Sequence, residues 1–319
     1  MDFPRLIENI LQALTAGLLT GSIYGLMCVG LSVIFGVMRV INFAHGDFMM
    51  IGMYVAWYLF GLFGANIMFG DVVAPYLAAL LAGPVVFVAG LLTHRMLVSR
   101  VTGMRGDSLE SEGHYAQLIL TLGIALVLQN GGLYLFGSTP VSIQTPLASS
   151  AWIIGPLHGD LIEVFVNKGQ TVSAIIAAAV VIAFVVFMKR SVIGKSLRAA
   201  ADNPQAAVYM GIDVGRAHRL AFGFGVAITA IGGGLLASGI SFQPYVGLEF
   251  VIVMYAGVVL GGLGSISGAF FGGLAIGLVQ QLSTLILPYQ LQNTAIFIAF
   301  LIIVLLRPQG LFGTAMRRT

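Results

Sequence analysis

Charge is what this sequence has least of. Of its 319 residues 15 are Lys or Arg and 12 are Asp or Glu, so 8% are charged against 58% in the apolar set. A soluble globular protein carries about 25% charged residues, and this inventory cannot build a water-facing surface. A soluble enzyme, a nucleic-acid-binding domain and a disordered chain are excluded together. The net charge of +3 does not bring nucleic acid back, because so few basic residues make no phosphate-binding stripe. Cysteine is nearly absent as well. Cys28 alone rules out a disulfide framework and any cysteine-based metal site.

Catalytic motifs are missing too. His45, His94, His114, His158 and His218 show no HExxH or paired spacing, so no metal site is supported. Gly194-Lys195-Ser196 imitates the end of a phosphate-binding loop, but GxxxxGK[ST] needs glycine where Lys189 stands. Gly262-Leu263-Gly264 is followed by Ser267 where GxGxxG wants glycine. The chain is therefore read as a non-enzyme with no ATP site of its own.

What is present is long uncharged sequence. No charge falls in 9–38, 48–70, 72–94, 113–159, 169–188, 220–248 or 250–306. A spanning helix needs about 20 apolar residues to cross about 30 Å of hydrocarbon. The gap at 250–306 holds three crossings, broken at Gly264–Gly268 and Pro288–Asn293. The gap at 113–159 holds one, about Ala116–Phe136, before a loop rich in Gly, Pro, Ser and Thr. The stretch after Arg5 is too long for a signal h-region. It is read as a retained first helix, with room for a second, broken one. Barrel strands would alternate in polarity, and these segments do not. The fold class is an all-α polytopic membrane protein of eight to ten transmembrane helices, a glycine-rich, tightly packed bundle with broken helices.

Basic residues give the orientation. The loop 189–219 holds Lys189, Arg190, Lys195, Arg198, Arg216 and Arg219 against Asp202 and Asp213. Segment 94–112 has Arg95, Arg100 and Arg105, and the C-terminus has Arg307, Arg317 and Arg318. The positive-inside rule places these in the cytoplasm and the loop at about 137–171 outside. The side of the N-terminus stays open. The 42 glycines include Gly17, Gly21 and Gly25, then Gly257 and Gly261, then Gly264, Gly268 and Gly272. Such spacing lets helix backbones approach in lipid, either within one subunit or at a dimer interface or translocation wall.

Two segments carry polar chemistry. His45 and Asp47, in Asn42-Phe43-Ala44-His45-Gly46-Asp47, sit with Glu249 at gap edges, as interfacial residues or as intramembrane sites. In the basic loop Asp202 or Asn203 can cap a short helix, Pro204 suits its first position and Gly211 its C′ position. Ala206, Ala207, Val208 and Met210 lie between them. Two turns are too few to be stable alone, so this helix packs on a partner or lies on the lipid.

That loop resembles the ATPase-docking loop of ABC importer permeases, in the version of the branched-chain amino-acid (Liv-type) permease family. Gly36–Gly46, Leu118–Gly123, Gly261–Gly268 and Leu306–Gly313 resemble the same family, in its order, over nearly the whole chain. Two departures stand out. Ala199-Ala200-Ala201 replaces the Glu-Ala-Ala of the general importer loop, and Gln280 stands where members often have an acid. Relatives are associated with other amino acids, urea and small carboxylic acids, so Gln280 leaves the solute open.

The resemblance implies a single permease domain over 1–319 in the bacterial inner membrane, with its C-terminus in the cytoplasm. It implies a second permease subunit, a periplasmic substrate-binding protein and two ATP-binding cassette ATPase subunits, which hold the ATP and Mg. Asp202, Asn203, Pro204, Ala206, Ala207, Met210 and Gly211 would form the ATPase-coupling helix. Asn42, His45, Asp47 and Gln280 are the candidates for the translocation path. The competing reading is a stand-alone secondary transporter or channel for a small solute.

Overall fold

The computed structural model describes residues 3–65, 70–102, 110–157, 162–307 and 310. Arg105, Arg317, Arg318 and most of the Leu306–Gly313 match lie outside the described residues. Seven described helices are long and apolar enough to cross a membrane: Arg5–Met38, His45–Phe63, Gly70–Val101, Ala116–Phe136, Lys168–Arg190, Val214–Leu236 and Ile266–Ser283. Two shorter apolar helices, Val246–Gly261 and Gln292–Leu306, join them. The chain is a multi-pass membrane protein, and the helix number falls within the expected eight to ten.

In chain order the helices are α1 (Phe3–Met38), α2 (His45–Ala65), α3 (Gly70–Thr93), α4 (Ser99–Thr102), α5 (Glu110–Phe136), α6 (Lys168–Arg190), α7 (Val192–Asp202), α8 (Pro204–Tyr209), α9 (Val214–Leu236), α10 (Val246–Gly261), α11 (Ile266–Ser283) and α12 (Gln292–Leu306). A π-helical turn, His94–Val98, carries α3 into α4. Where three crossings were expected near 250–306, the structure has three apolar helices, α10, α11 and α12, of which α11 is long enough to cross and the other two are shorter. The first break is a turn in which Gly262 and Gly264 take positive φ (99° and 85°), and the second holds a short 3-10 turn, Tyr289–Leu291.

Two expectations are corrected. The stretch 9–38 holds no second, broken helix. It lies inside α1, whose 36 residues rise about 54 Å without a break. The loop at 137–171 ends earlier than expected, because α6 starts at Lys168, capped by the Asn167 side chain accepting from Gln170 N. That loop also folds a two-stranded antiparallel hairpin, β1 (Ala151–Leu157) and β2 (Ile162–Asn167). Its Ile, Val, Trp and Phe content favours extended chain, and the hairpin is an addition outside the spans, not part of a barrel.

The hairpin orients the bundle. The Gln12 side chain donates to Phe165 O (2.8 Å) and accepts from Phe165 N (2.9 Å). The beginning of α1 is therefore at the hairpin end, and Met38 is at the opposite, basic end. This supplies the relative placement that sequence left open.

α1 is the axis, packed against α6, α9, α10 and α11. Its Gly17, Gly21 and Gly25 face Leu278, Leu274 and Phe270 of α11. From the other side, a Cβ on Gly277 would meet Gly21 Cα, and one on Gly273 would lie 2.5 Å from Gly25 N. The α10–α11 contact repeats the device: a Cβ on Gly261 would meet Gly268 O, and one on Gly272 would meet Gly257 O. The glycine motifs thus pack helices within this chain. Lipid offers apolar side chains no drive to associate, so close backbone contact supplies the attraction.

Gly277→Val forces a branched side chain into the backbone of α1, and overpacking of this kind costs about 3 kcal/mol or more. Its yield of monodisperse protein in detergent should collapse. Gly61 has nothing within 4 Å of the Cβ it lacks, so Gly61→Ala should leave yield and melting temperature unchanged or slightly raised.

Candidate functional site

α1 ends at the basic end, yet α2 does not begin there. Arg39 takes a left-handed backbone (φ 53°), a conformation that stops an α-helix of L-residues. The chain then runs back along α1 to a new helix start. The carbonyl of Asn42 accepts from His45 N (3.2 Å) and its Oδ1 from Ala44 N (3.1 Å), so one side chain closes the turn that opens α2. Val40, Ala44 and Phe48 pack with Ile34, Phe222 and Ile124 in a small apolar cluster.

The start of α2 lies deep in the bundle. His45 Nε2 is 2.7 Å from Thr229 Oγ1 of α9, and that hydroxyl donates to Met27 O of α1 at 3.2 Å. With its one proton directed to Met27, the hydroxyl accepts from Nε2–H of the imidazole. Three helices are joined at one point. Met27 is eleven residues before the end of α1, so α2 begins roughly 16 Å inside that end. At the next position, a Cβ on Gly46 would meet Gly247 O of α10.

Asp47 is in the first turn of α2, where the helix dipole favours negative charge. Its Oδ1 accepts from Gln129 Nε2 of α5 at 2.9 Å. Gln129 ends a stripe on α5, Gln117, Thr121, Ala125 and Gln129, all buried. Sequence reading missed Gln129 and Thr229. The four-residue spacing of polar side chains in an apolar span was the available signal for the first; Thr229 had none.

The path candidates divide. Asn42, His45 and Asp47 are brought together, each 2% exposed or less, and none faces an open lumen in this conformation. Gln280 does not join them. It lies on α11 beyond Gly277, which faces Gly21, roughly 15 Å along α1 from the level of Met27. Its Oε1 is buried without a partner among the described residues.

The loop at the basic end is built by caps. Ser191 Oγ accepts from Gly194 N at 2.9 Å to start α7, so the Gly194-Lys195-Ser196 imitation is a helix start. Asn203, not Asp202, caps α8, its Oδ1 accepting from Ala206 N at 3.0 Å; Asp202 is the exposed last residue of α7. Pro204 holds the first position. At the other end Gly211 takes φ 79°, with Gly211 N donating to Val208 O (2.9 Å) and Ile212 N to Ala207 O (2.9 Å), a Schellman ending. Asp213 then caps α9 through Arg216 N. Ala207, expected on the docking face, is instead buried at 3% exposure, where α8 lies against α7 and α9. Tyr209 (89%) and Met210 (81%) point outward with Val208 and Ala206.

Comparison with known proteins agrees with this architecture. The sequence profile of the family described as branched-chain amino acid transport system / permease component matches residues 13–306. The chain is 30% identical to the high-affinity branched-chain amino acid transport system permease protein LivH of Escherichia coli (strain K12), over 95% of both chains. It is 29% identical to the permease protein BraD of the corresponding Pseudomonas aeruginosa system, over 96% of this chain and 97% of that one. The probable LivH of Methanocaldococcus jannaschii is 30% identical over 81% of this chain and 76% of its own length. No solved structure matches the chain significantly.

Asp47→Leu leaves the Gln129 amide buried without its acceptor, which costs about 1–3 kcal/mol. Thermal unfolding in detergent should show that loss. Combining Asp47→Leu with Gln129→Leu should recover much of it, since two apolar partners leave no orphan. A double variant as unstable as the sum of the singles would show that the pair is not coupled.

Proposed function

Because the chain belongs to the family described as branched-chain amino acid transport system / permease component, we propose that it is the transmembrane subunit of a binding-protein-dependent ABC importer for branched-chain amino acids or a related small polar solute. As a permease it is a non-enzymatic transport subunit. In this reading two permease subunits form the pathway in the bacterial inner membrane, this chain contributing one permease domain. A periplasmic protein delivers the solute. Two ATPase subunits bind ATP and Mg and supply the work. The basic end, with the C-terminus, faces the cytoplasm, and the hairpin faces the periplasm.

The observation that carries the reading is α8. Val208, Tyr209 and Met210 are exposed on a helix fixed at both ends by its own caps, at the basic end of the molecule. An apolar tip of this kind marks a contact surface. Asp202, Asn203, Pro204 and Gly211 shape that element, while Ala207 anchors it. A push on α8 passes through the Asp213 cap into α9, which reaches Thr229 and the α1–α2–α9 junction about 22 Å further on. The Asn42–Asp47 break lies where such a movement would be felt, and helix interruptions are tolerated in membranes where they are buried or line a cavity.

Tyr209→Glu with Met210→Glu removes the centre of the contact. Loss of a central anchor is typically worth ~2 kcal/mol or more, which is roughly thirtyfold at 1.4 kcal/mol per decade. ATPase recovered by co-purification should fall accordingly at unchanged permease level, whereas Ala207→Glu should lower the permease itself. Undiminished recovery with normal transport would remove α8 from the coupling role. Purified chain alone, in liposomes under a proton or sodium gradient, should move no leucine; gradient-driven uptake would favour the stand-alone carrier.

A further inference from the structure

At the basic end α1, α6, α7 and the start of α11 border a half-open cavity of about 350 Å³, at the lower end of the about 300–1,000 Å³ typical of small-molecule sites, with Lys189, Arg198 and Asp202 at its exposed side. Its lining carries both signs of charge. Lys189 and Arg198 reach it together, Arg198 Nη2 donating to the Lys189 carbonyl at 3.4 Å. Asp202, one helical turn beyond Arg198 on α7, lines it too. Among the described residues none of the three forms an ion pair. Ile266 and Ser267, the first residues of α11, bring N–H groups that have no acceptor within their own helix.

Ser32 is the most telling member. It is 1% exposed on α1, one turn further into the bundle than Gly36, and its hydroxyl is buried without a partner among the described residues. Serine in a helix can bond back to its own backbone, and this one does not. The remaining wall is aliphatic, with Val33, Val37, Val185 and Met188.

We propose that this cavity is a product-side binding site for an aliphatic α-amino acid in its zwitterionic form. Arg198, Lys189, the N-terminus of α11 and the Ser32 hydroxyl suit a carboxylate. Asp202 suits the ammonium group, and the valine–methionine wall suits the side chain. A plain anion would be repelled by Asp202 and would leave the wall unused. Occupancy joins α7, which carries α8, to α1 and α11. An amino acid accumulating at the basic end therefore restrains the coupling loop and slows further uptake. That regulatory consequence rests on the importer reading; the binding itself does not.

The test separates the two. Equilibrium binding of radiolabelled leucine to the purified chain, without partners, should be saturable. The probes 4-methylpentanoate, which lacks the amine, and 3-methylbutylamine, which lacks the carboxylate, should compete at least tenfold more weakly than leucine. Arg198→Gln should weaken leucine at least tenfold, Ser32→Ala by a smaller factor, and Asp202→Asn should bring leucine and 4-methylpentanoate close to equality. Inorganic phosphate displacing leucine as well as leucine itself would reduce the cavity to a plain anion site and overturn the proposal. So would absence of saturable binding, or wild-type binding by both Arg198→Gln and Ser32→Ala in monodisperse protein. In the assembled importer, leucine at the basic end should slow ATP-driven uptake, less so in Ser32→Ala. An importer that transports leucine while the chain binds none overturns this inference alone. A chain that binds leucine but supports no ATP-driven uptake with its partners overturns the importer reading alone.

Discussion

The close approach of α1 to its neighbours is the contact on which the rest of the molecule depends. In lipid the apolar side chains gain little by meeting each other, and association relies on packing density and internal hydrogen bonds. α1 meets α11 through Gly17, Gly21 and Gly25, then α9 through Gly30, where a Cβ would strike Thr229 and Gly225. Nearer its end Gly36 lies against Gly264. Each later feature hangs on this axis. Met27 O takes the Thr229 proton, Ser32 closes the inner end of the cavity, and Arg39 turns the chain back.

Beginning α2 inside the bundle strips backbone groups of helical partners where water cannot replace them. The structure answers with local side chains: Asn42 serves the turn, and Ala44 O accepts from both Asp47 N and Phe48 N. The polar side chains that follow are tied to different helices, His45 to α9 and Asp47 to α5. A junction made of hydrogen bonds between separate helices can be reset by small displacements, whereas a continuous helix cannot. The capped loop α7–α8 gives the complementary property, a short rigid element whose exposed tip requires a partner. One end of α9 is fixed to that loop and its middle to the junction, so the two sites share one rigid body.

Much was legible without coordinates. The span Ala116–Phe136, breaks at Gly264–Gly268 and Pro288–Asn293 that fall within a few residues of the observed helix ends, and the caps at Pro204 and Gly211 were read from local chemistry. A charge gap, a glycine pair or a proline acts within a few residues of itself. Asn42, His45 and Asp47 were read from such local signals and Gln280 from the family resemblance, and the first three fall together because they are neighbours in sequence. Gln280 does not, since its level in the bundle depends on how α11 slides along α1. Ala207 shows the same limit: on a two-turn helix either face can be the buried one, and only the packing of α8 on α7 and α9 chooses.

The sequence by itself determined that the chain lives in a bilayer, where most of its apolar spans lie, and which family it resembles. These follow from composition and nearest-neighbour backbone preferences, which need no partner. Tertiary structure alone decided that the glycine faces meet inside one chain, that Thr229 and Gln129 complete the buried junction, and that Ser32 shares a cavity with Arg198 and Asp202. Those pairings join residues far apart in sequence across separate helices. Helix rotation and register fix them, and in a span that is apolar on every side the hydrophobic pattern carries almost no record of either.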